Sequence, residues 1–335
     1  MNAYFQKTCF IVVCYALAAF SLQAQTTAPV SLAPAVAKTL QRPDLVLHYT
    51  DYGQGEPVLL LMGGPGIPGT GLESVARMIS KKGRALVPDQ RGSGKSIPTD
   101  VAAITLDATL ADFEALRKEL GLEKWTVWGC SWGGMLALDY ASKFPGSIKG
   151  LMLVGSGGTS WASFSKAMND NMNARMGGDD RAALRYWSQP EVVARDPGQS
   201  AIECMRAGLP SQFYDRTKTF EAIALFKPGK EHYNPEASKQ LKPAYEQGAA
   251  SRIEALQKVD IPVLIIHGRQ DPVPESVALT NQALLKGSRL VWLDRCGHWS
   301  WIEQPEALEK VLLEFLGEIQ ATSNAAPVVK SGKTP

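Results

Sequence analysis

A mostly parallel α/β sheet, covered by helices on both faces and interrupted by one helical insertion, is the fold class that this 335-residue sequence predicts. Three observations carry it. From about Pro43, short apolar runs closed by glycine turns alternate with segments of helical period. The alternation stops near Gly157 and resumes at "IPVLIIHGRQDP". Between those points the chain is richer in charge, Met, Trp and Tyr, and its period is helical.

Taken in order, "LVLHYTDYG", "PVLLLMGG" and "GRALVPDQ" read as strands. "TLDATLADFEALRKEL", residues 105–120, places Leu106, Leu110, Phe113, Leu116 and Leu120 on one helical face. "KWTVWG" is a strand, "GMLALDYASKF" a helix and "IKGLMLVGS" a strand. After the insertion come the strand "IPVLIIHG", a helix, the strand "SRLVWLDRCGH" and a last helix from Pro305 to about Ile319. Short apolar strands bracketed by helices mark a sheet buried on both faces. The expected organisation is a core of 43–157 plus 256–319, an insertion of 158–255 and a disordered tail of 320–335, with no internal repeat.

Composition narrows the function classes. Apolar residues make up 45% and charged residues 20%, and the formal net charge is +2 with no basic block. A nucleic-acid or membrane-surface partner has no electrostatic support. The first residues carry one cation, Lys7, then an apolar run from Cys9 to Leu22 that is short for a bilayer, followed by Leu22-x-Ala24. Residues 1–24 therefore read as a signal peptide, with an exported chain beginning near Gln25 and no stable membrane insertion after cleavage. A short membrane anchor is the alternative. Cys9 and Cys14 leave with the signal, and the remaining Cys130, Cys204 and Cys296 are too odd a set for a disulfide framework. Cys130 and Cys296 could nonetheless lie close in space.

The chemistry starts in "VWGCSWGGMLALDY", where Ser131 stands between Gly129 and Gly133 at a change from strand to helix. Glycines on both sides let the backbone turn sharply enough to expose the serine hydroxyl at the carboxyl edge of the sheet. A hydroxyl needs a base, and the base needs an acid to orient it. Asp271 in "HGRQDP" and His298 in "DRCGHWSW" follow later strands in the chain order such a triad requires. His48, His232 and His267 read as structural, and Asp294, four residues before His298, is the rival acid. The amides of Trp132, after the nucleophile, and Gly64, in "LLLMGGPG", are the expected oxyanion donors.

Two other motifs compete. "GPGIPG" at 64–69 satisfies G-x-G-x-x-G after a strand, with Asp89 about 20 residues on, as a dinucleotide site would. Pro65, Pro68 and Gly71 stand where the phosphate-facing helix would begin, and they remove donors or weaken it. "RGSGKS" lacks the first glycine of a phosphate loop, and reads as a tight turn held by Asp89 and Arg91.

With these residues in place, the chain resembles an α/β-hydrolase-fold serine hydrolase of the proline iminopeptidase type (prolyl aminopeptidases). "MGGPG" at 62–66, "DQRGSGKS" at 89–96 and "GCSWGG" at 129–134 carry the resemblance, against family blocks HGGPG, DQRG-S-G-[RK]-S and GGSWG. It implies eight strands, a helical cap after the sixth, no metal or organic cofactor, and removal of N-terminal proline from short peptides. It also implies cap acids that bind the substrate's amino group, for which Glu191 and Glu203 are the candidates. Met62 replaces the family's histidine and Cys130 a glycine, and both departures bear on the substrate. The expected activity is an exported serine hydrolase acting on a short peptide or a small molecule. A carboxylic ester or lactone is the alternative substrate class, and an inactive hydrolase fold used for binding is the third.

Overall fold

The computed structural model describes residues 34–226 and 233–325. The proposed signal peptide, His232 and the end of the tail lie outside these residues. Eight strands form one sheet: β1 (Val36–Gln41), β2 (Val46–Gly53), β3 (Glu56–Leu61), β4 (Gly83–Pro88), β5 (Trp125–Cys130), β6 (Ile148–Val154), β7 (Val263–Gly268) and β8 (Arg289–Leu293). Their spatial order is β1-β2-β4-β3-β5-β6-β7-β8. β2 runs antiparallel to β1 and β4, and every pair from β4 to β8 is parallel. β1 was not expected. Its residues are mostly exposed, as on a sheet edge, so no apolar period marks it.

β5 and β7 are buried along their whole length, because helices cover both faces. Alternate residues feed two separate cores. Leu59, Val127, Leu151 and Ile265 belong to one, and Leu60, Trp128, Met152 and Leu264 to the other. Helices α1 (Glu73–Ile79), α2 (Leu106–Glu119) and α3 (Trp132–Lys143) connect the first strands. The Thr105 hydroxyl caps α2 by accepting from the Ala108 amide at 3.2 Å. Its apolar stripe of Leu106, Leu110, Phe113 and Leu116 is buried, as the spacing predicts.

Among the described residues, seven α-helices lie between β6 and β7: α4 (Ala162–Arg175), α5 (Gly178–Trp187), α6 (Pro190–Arg195), α7 (Pro197–Gly208), α8 (Thr219–Ile223), α9 (Pro235–Gln247) and α10 (Ala249–Leu256). α11 (Glu275–Leu284) follows β7, and α12 (Ser300–Glu303) and α13 (Pro305–Ala325) close the chain. α13 runs past the expected end at Ile319, through "QATSNA", which contains neither Gly nor Pro to stop it. β8 in turn ends at Leu293, short of the predicted strand, and Arg295 then adopts a φ of 51° that turns the chain toward His298.

Candidate active site

The loops after β3, β5, β6, β7 and β8 gather at the carboxyl edge of the sheet. β4 and β5 lie on opposite sides of β3, so the strand order reverses there and leaves a crevice. The β3 and β5 loops flank it, with Leu61 in register with Gly129.

Ser131 occupies the turn between β5 and α3 with φ 52° and ψ −120°, a region that costs a non-glycine residue about 1–3 kcal/mol. The surroundings hold it there. Its amide donates to the Val154 carbonyl at 3.1 Å, and its own carbonyl accepts from Gly134, Met135 and Gly157 at 3.1, 3.2 and 3.3 Å. The turn also needs small neighbours. A methyl at Gly129 would overlap the Gly133 carbonyl, one at Gly133 the Leu61 carbonyl, and one at Gly63 would lie 2.7 Å from the Ser131 Cβ.

His298 and Asp271 come together from the β8 and β7 loops. The His298 Nδ1 lies 2.9 Å from both carboxylate oxygens of Asp271. The Asp271 Oδ1 also accepts from the Val273 amide at 2.8 Å. Gly155 passes so close that a Cβ there would sit 2.8 Å from the Asp271 Oδ2. Burial opposes both charges, but each group's charge and hydrogen bond outweigh it for the other. The Asp271 pKa is lowered and the His298 pKa raised. Asp294 is not part of the pair: it sits in solvent and bonds Arg269 at 2.9 Å.

The two expected oxyanion donors belong to different elements. The Gly63 amide donates to the Cys130 sulfur at 3.2 Å, and Gly64, with φ +66°, is the next amide along. Trp132 opens α3, where an amide has no helical acceptor and the helix end is positive. The Gln90 side chain fixes the Gly63–Gly64 loop by donating to the Met62 carbonyl at 2.8 Å. A backbone contact thus holds the loop, and the Met62 side chain is buried in the core. Asp89 accepts from the Gly69 and Lys95 amides, both at 3.0 Å, and makes the turn the sequence suggested. Arg91 does not share in it: it reaches away to Asp112 at 2.8 Å and to Asp44.

The matches to known proteins agree with this architecture. Residues 56–305 match the alpha/beta hydrolase fold family. The chain belongs to that family. It is 28% identical over 277 residues to a proline iminopeptidase of Lactobacillus helveticus, covering 78% of this chain and 90% of the relative. It is 26% identical over 275 residues to a 2-hydroxy-6-oxo-2,4-heptadienoate hydrolase of Pseudomonas putida, covering 79% and 91%. Among solved structures, a thermophilic esterase from Thermogutta terrifontis matches with a TM-score of 0.64 at 24% identity, over 86% of this chain and 99% of that one. The protein is a hydrolase that resembles proline iminopeptidases.

In this alpha/beta hydrolase, Ser131 and His298 open into one cavity of about 180 Å³ beneath the insertion. Its walls are Met, Trp, Phe, Leu, Ile and Val side chains, joined by Gln212 and Lys242. Neither Glu191 nor Glu203 is among them. Glu191 is exposed on α6, and Glu203 on α7 pairs with Arg206 at 2.7 Å and Gln199 at 2.8 Å. Neither acid lines this cavity, and Glu203 already has two side-chain partners. Among the described residues no carboxylate lines it.

Several supporting residues carried no sequence signal. The Gln212 carbonyl accepts from the His298 amide at 2.7 Å, and its side chain from the Trp299 indole at 2.9 Å. Glu303 accepts from the Gly297 amide at 2.6 Å and the Asp215 amide at 2.8 Å. Asn234 donates from its amide to the Gly66 carbonyl at 3.0 Å and from its side chain to the Gly92 carbonyl at 2.9 Å. The insertion thus clamps both the histidine loop and the glycine loop. Cys130, Cys204 and Cys296 are all free thiols, so Cys130 and Cys296 do not pair.

Proposed function

We propose that this chain is a serine hydrolase that cleaves a compact carboxylic ester, or the related lactone, through an acyl-enzyme on Ser131. The observation that carries the substrate class is the cavity lining. Among the described residues, the hydroxyl and imidazole meet apolar walls and the cation Lys242, with no carboxylate to receive a free amine. His298 takes the Ser131 proton at Nε2 as the oxygen attacks the ester carbonyl. Asp271 accepts from the Nδ1–H, fixes the tautomer and stabilises the imidazolium. The Gly64 and Trp132 amides receive the developing oxyanion, each worth roughly 10²–10³ in rate. The imidazolium returns the proton to the leaving alcohol, and a water activated in the same way frees the acid.

A short peptide with N-terminal proline is the second reading, favoured by the 28% identity to the Lactobacillus enzyme. The ammonium group of such a substrate would lie in a cavity lined, among the described residues, by a lysine and by no carboxylate. Hydrolysis of 4-nitrophenyl butyrate against proline 4-nitroanilide, with Ser131→Ala as control, separates the two. The ester is the expected substrate. Faster turnover of the anilide, lost when its amine is acetylated, would replace this reading with the aminopeptidase.

A further inference from the structure

The cavity holds a cation that hydrolysis of a simple ester does not use. Lys242 projects from α9 with its ammonium 4.0 Å from the centroid of Trp161, whose ring stands edge-on to Phe164 at 5.3 Å. All three residues line the same cavity as Ser131. The natural partner of a helical lysine is an acid one turn away. That residue is Glu246, and it is spent elsewhere: it accepts from the Ser160 hydroxyl at 2.8 Å and the Ala162 amide at 3.0 Å, closing the start of α4. Lys239, on the same helix, does have its acid, Glu236, at 2.6 Å. Lys242 has no hydrogen bond or ion pair among the described residues. A half-buried ammonium over an aromatic ring is desolvated without a counter-charge among the described residues, and burial accordingly lowers its pKa.

We infer that Lys242 recognises a carboxylate carried by the substrate, so that the preferred ester is a half-ester of a short dicarboxylic acid or an acyl group ending in a carboxylate. The incoming anion supplies the charge the protein withholds, in a site where water screens it poorly. The Trp161 face keeps the ammonium in place while leaving its outer protons for the ligand. The same cation repels a substrate ammonium, which gives the cavity its selectivity against free N-termini. Ser131 does its chemistry unchanged: the ester carbon–oxygen bond breaks, water supplies the hydroxyl, and the carboxylate held by Lys242 takes no part.

This inference rests on the esterase reading, and one experiment distinguishes their failures. The full chain, its Lys242→Met variant and its Lys242→Arg variant are each given mono-4-nitrophenyl adipate and 4-nitrophenyl hexanoate, esters of equal chain length. The readout is the ratio of the two kcat/KM values. The unaltered chain favours the adipate, Lys242→Met lowers the ratio by roughly 30-fold or more, and Lys242→Arg keeps most of it. A purely structural lysine would lower both rates together and leave the ratio alone. An unchanged ratio in Lys242→Met, or no preference in the unaltered chain, overturns the carboxylate site. If neither ester turns over and a fluorophosphonate fails to label Ser131, the hydrolase mechanism itself has failed.

Discussion

Ser131 is held in a positive-φ turn by four backbone hydrogen bonds, and His298 is held by two carboxylate contacts. At the scale of single residues, these restraints set the pH response. The proposed general base must be neutral, so lowering the pH through the His298 pKa is predicted to remove activity. That pKa is raised above the ordinary 6.5, because the charge and hydrogen bond of Asp271 outweigh burial. The acid limb of kcat/KM therefore falls above pH 6.5. In Asp271→Asn only burial remains to act, so the limb moves to lower pH while kcat drops by roughly 10²–10⁴. A pH–rate profile of both proteins on 4-nitrophenyl butyrate checks the direction. Cys130, beside Ser131, makes the opposite prediction. Burial pushes its thiol up to about 12, so it stays protonated and unreactive at neutral pH. Iodoacetamide at pH 8 should leave turnover intact, and inactivation that maps to Cys130 would contradict this. The positions of Ser131, Asp271 and His298 at strand ends were legible because each sits in a short, strongly constrained context. Glu191 and Glu203 were placed by resemblance alone, and nothing in a helix's polar positions says which one faces a cavity.

Among the elements, the loop after β3 depends on partners far away in sequence. Gln90 holds the Met62 carbonyl and Asn234 holds Gly66 and Gly92, so the position of the Gly64 amide is set by β4 and the insertion. Gln90→Leu should lower kcat by roughly tenfold to a hundredfold, less than loss of a whole oxyanion donor. KM should change little, since the donor matters more to the oxyanion than to the carbonyl. Asn234→Ala keeps the backbone bond to Gly66 but leaves the Gly92 carbonyl without its side-chain donor and the Glu236 amide without its cap, and should cost about 1–3 kcal/mol, read by chemical denaturation. "DQRGSGKS" announced itself in the sequence as a turn, yet its structural task was hidden. A glutamine side chain that reaches a carbonyl 28 residues earlier leaves no periodic trace.

For the whole molecule, the sheet and its order of strands and helices followed from the apolar runs, because parallel strands buried on both faces carry an uninterrupted pattern. β1 escaped because an exposed edge strand has no such pattern. The interior of the insertion escaped for a different reason. Its amphipathic helices show which side is buried, but Lys242 looks like any solvent-facing lysine until Trp161 and Glu246 are placed around it. The Ser131, Asp271 and His298 loops were thus legible, and the cavity lining from the insertion was not. The proposed mechanism and the proposed specificity both depend on one claim, that Ser131 is the nucleophile. Mass-spectrometric mapping after treatment with a fluorophosphonate tests it most directly. One adduct on Ser131 is predicted, absent in Ser131→Ala and formed far more slowly in His298→Ala. Ester turnover in a protein labelled elsewhere, or not labelled at all, would contradict it.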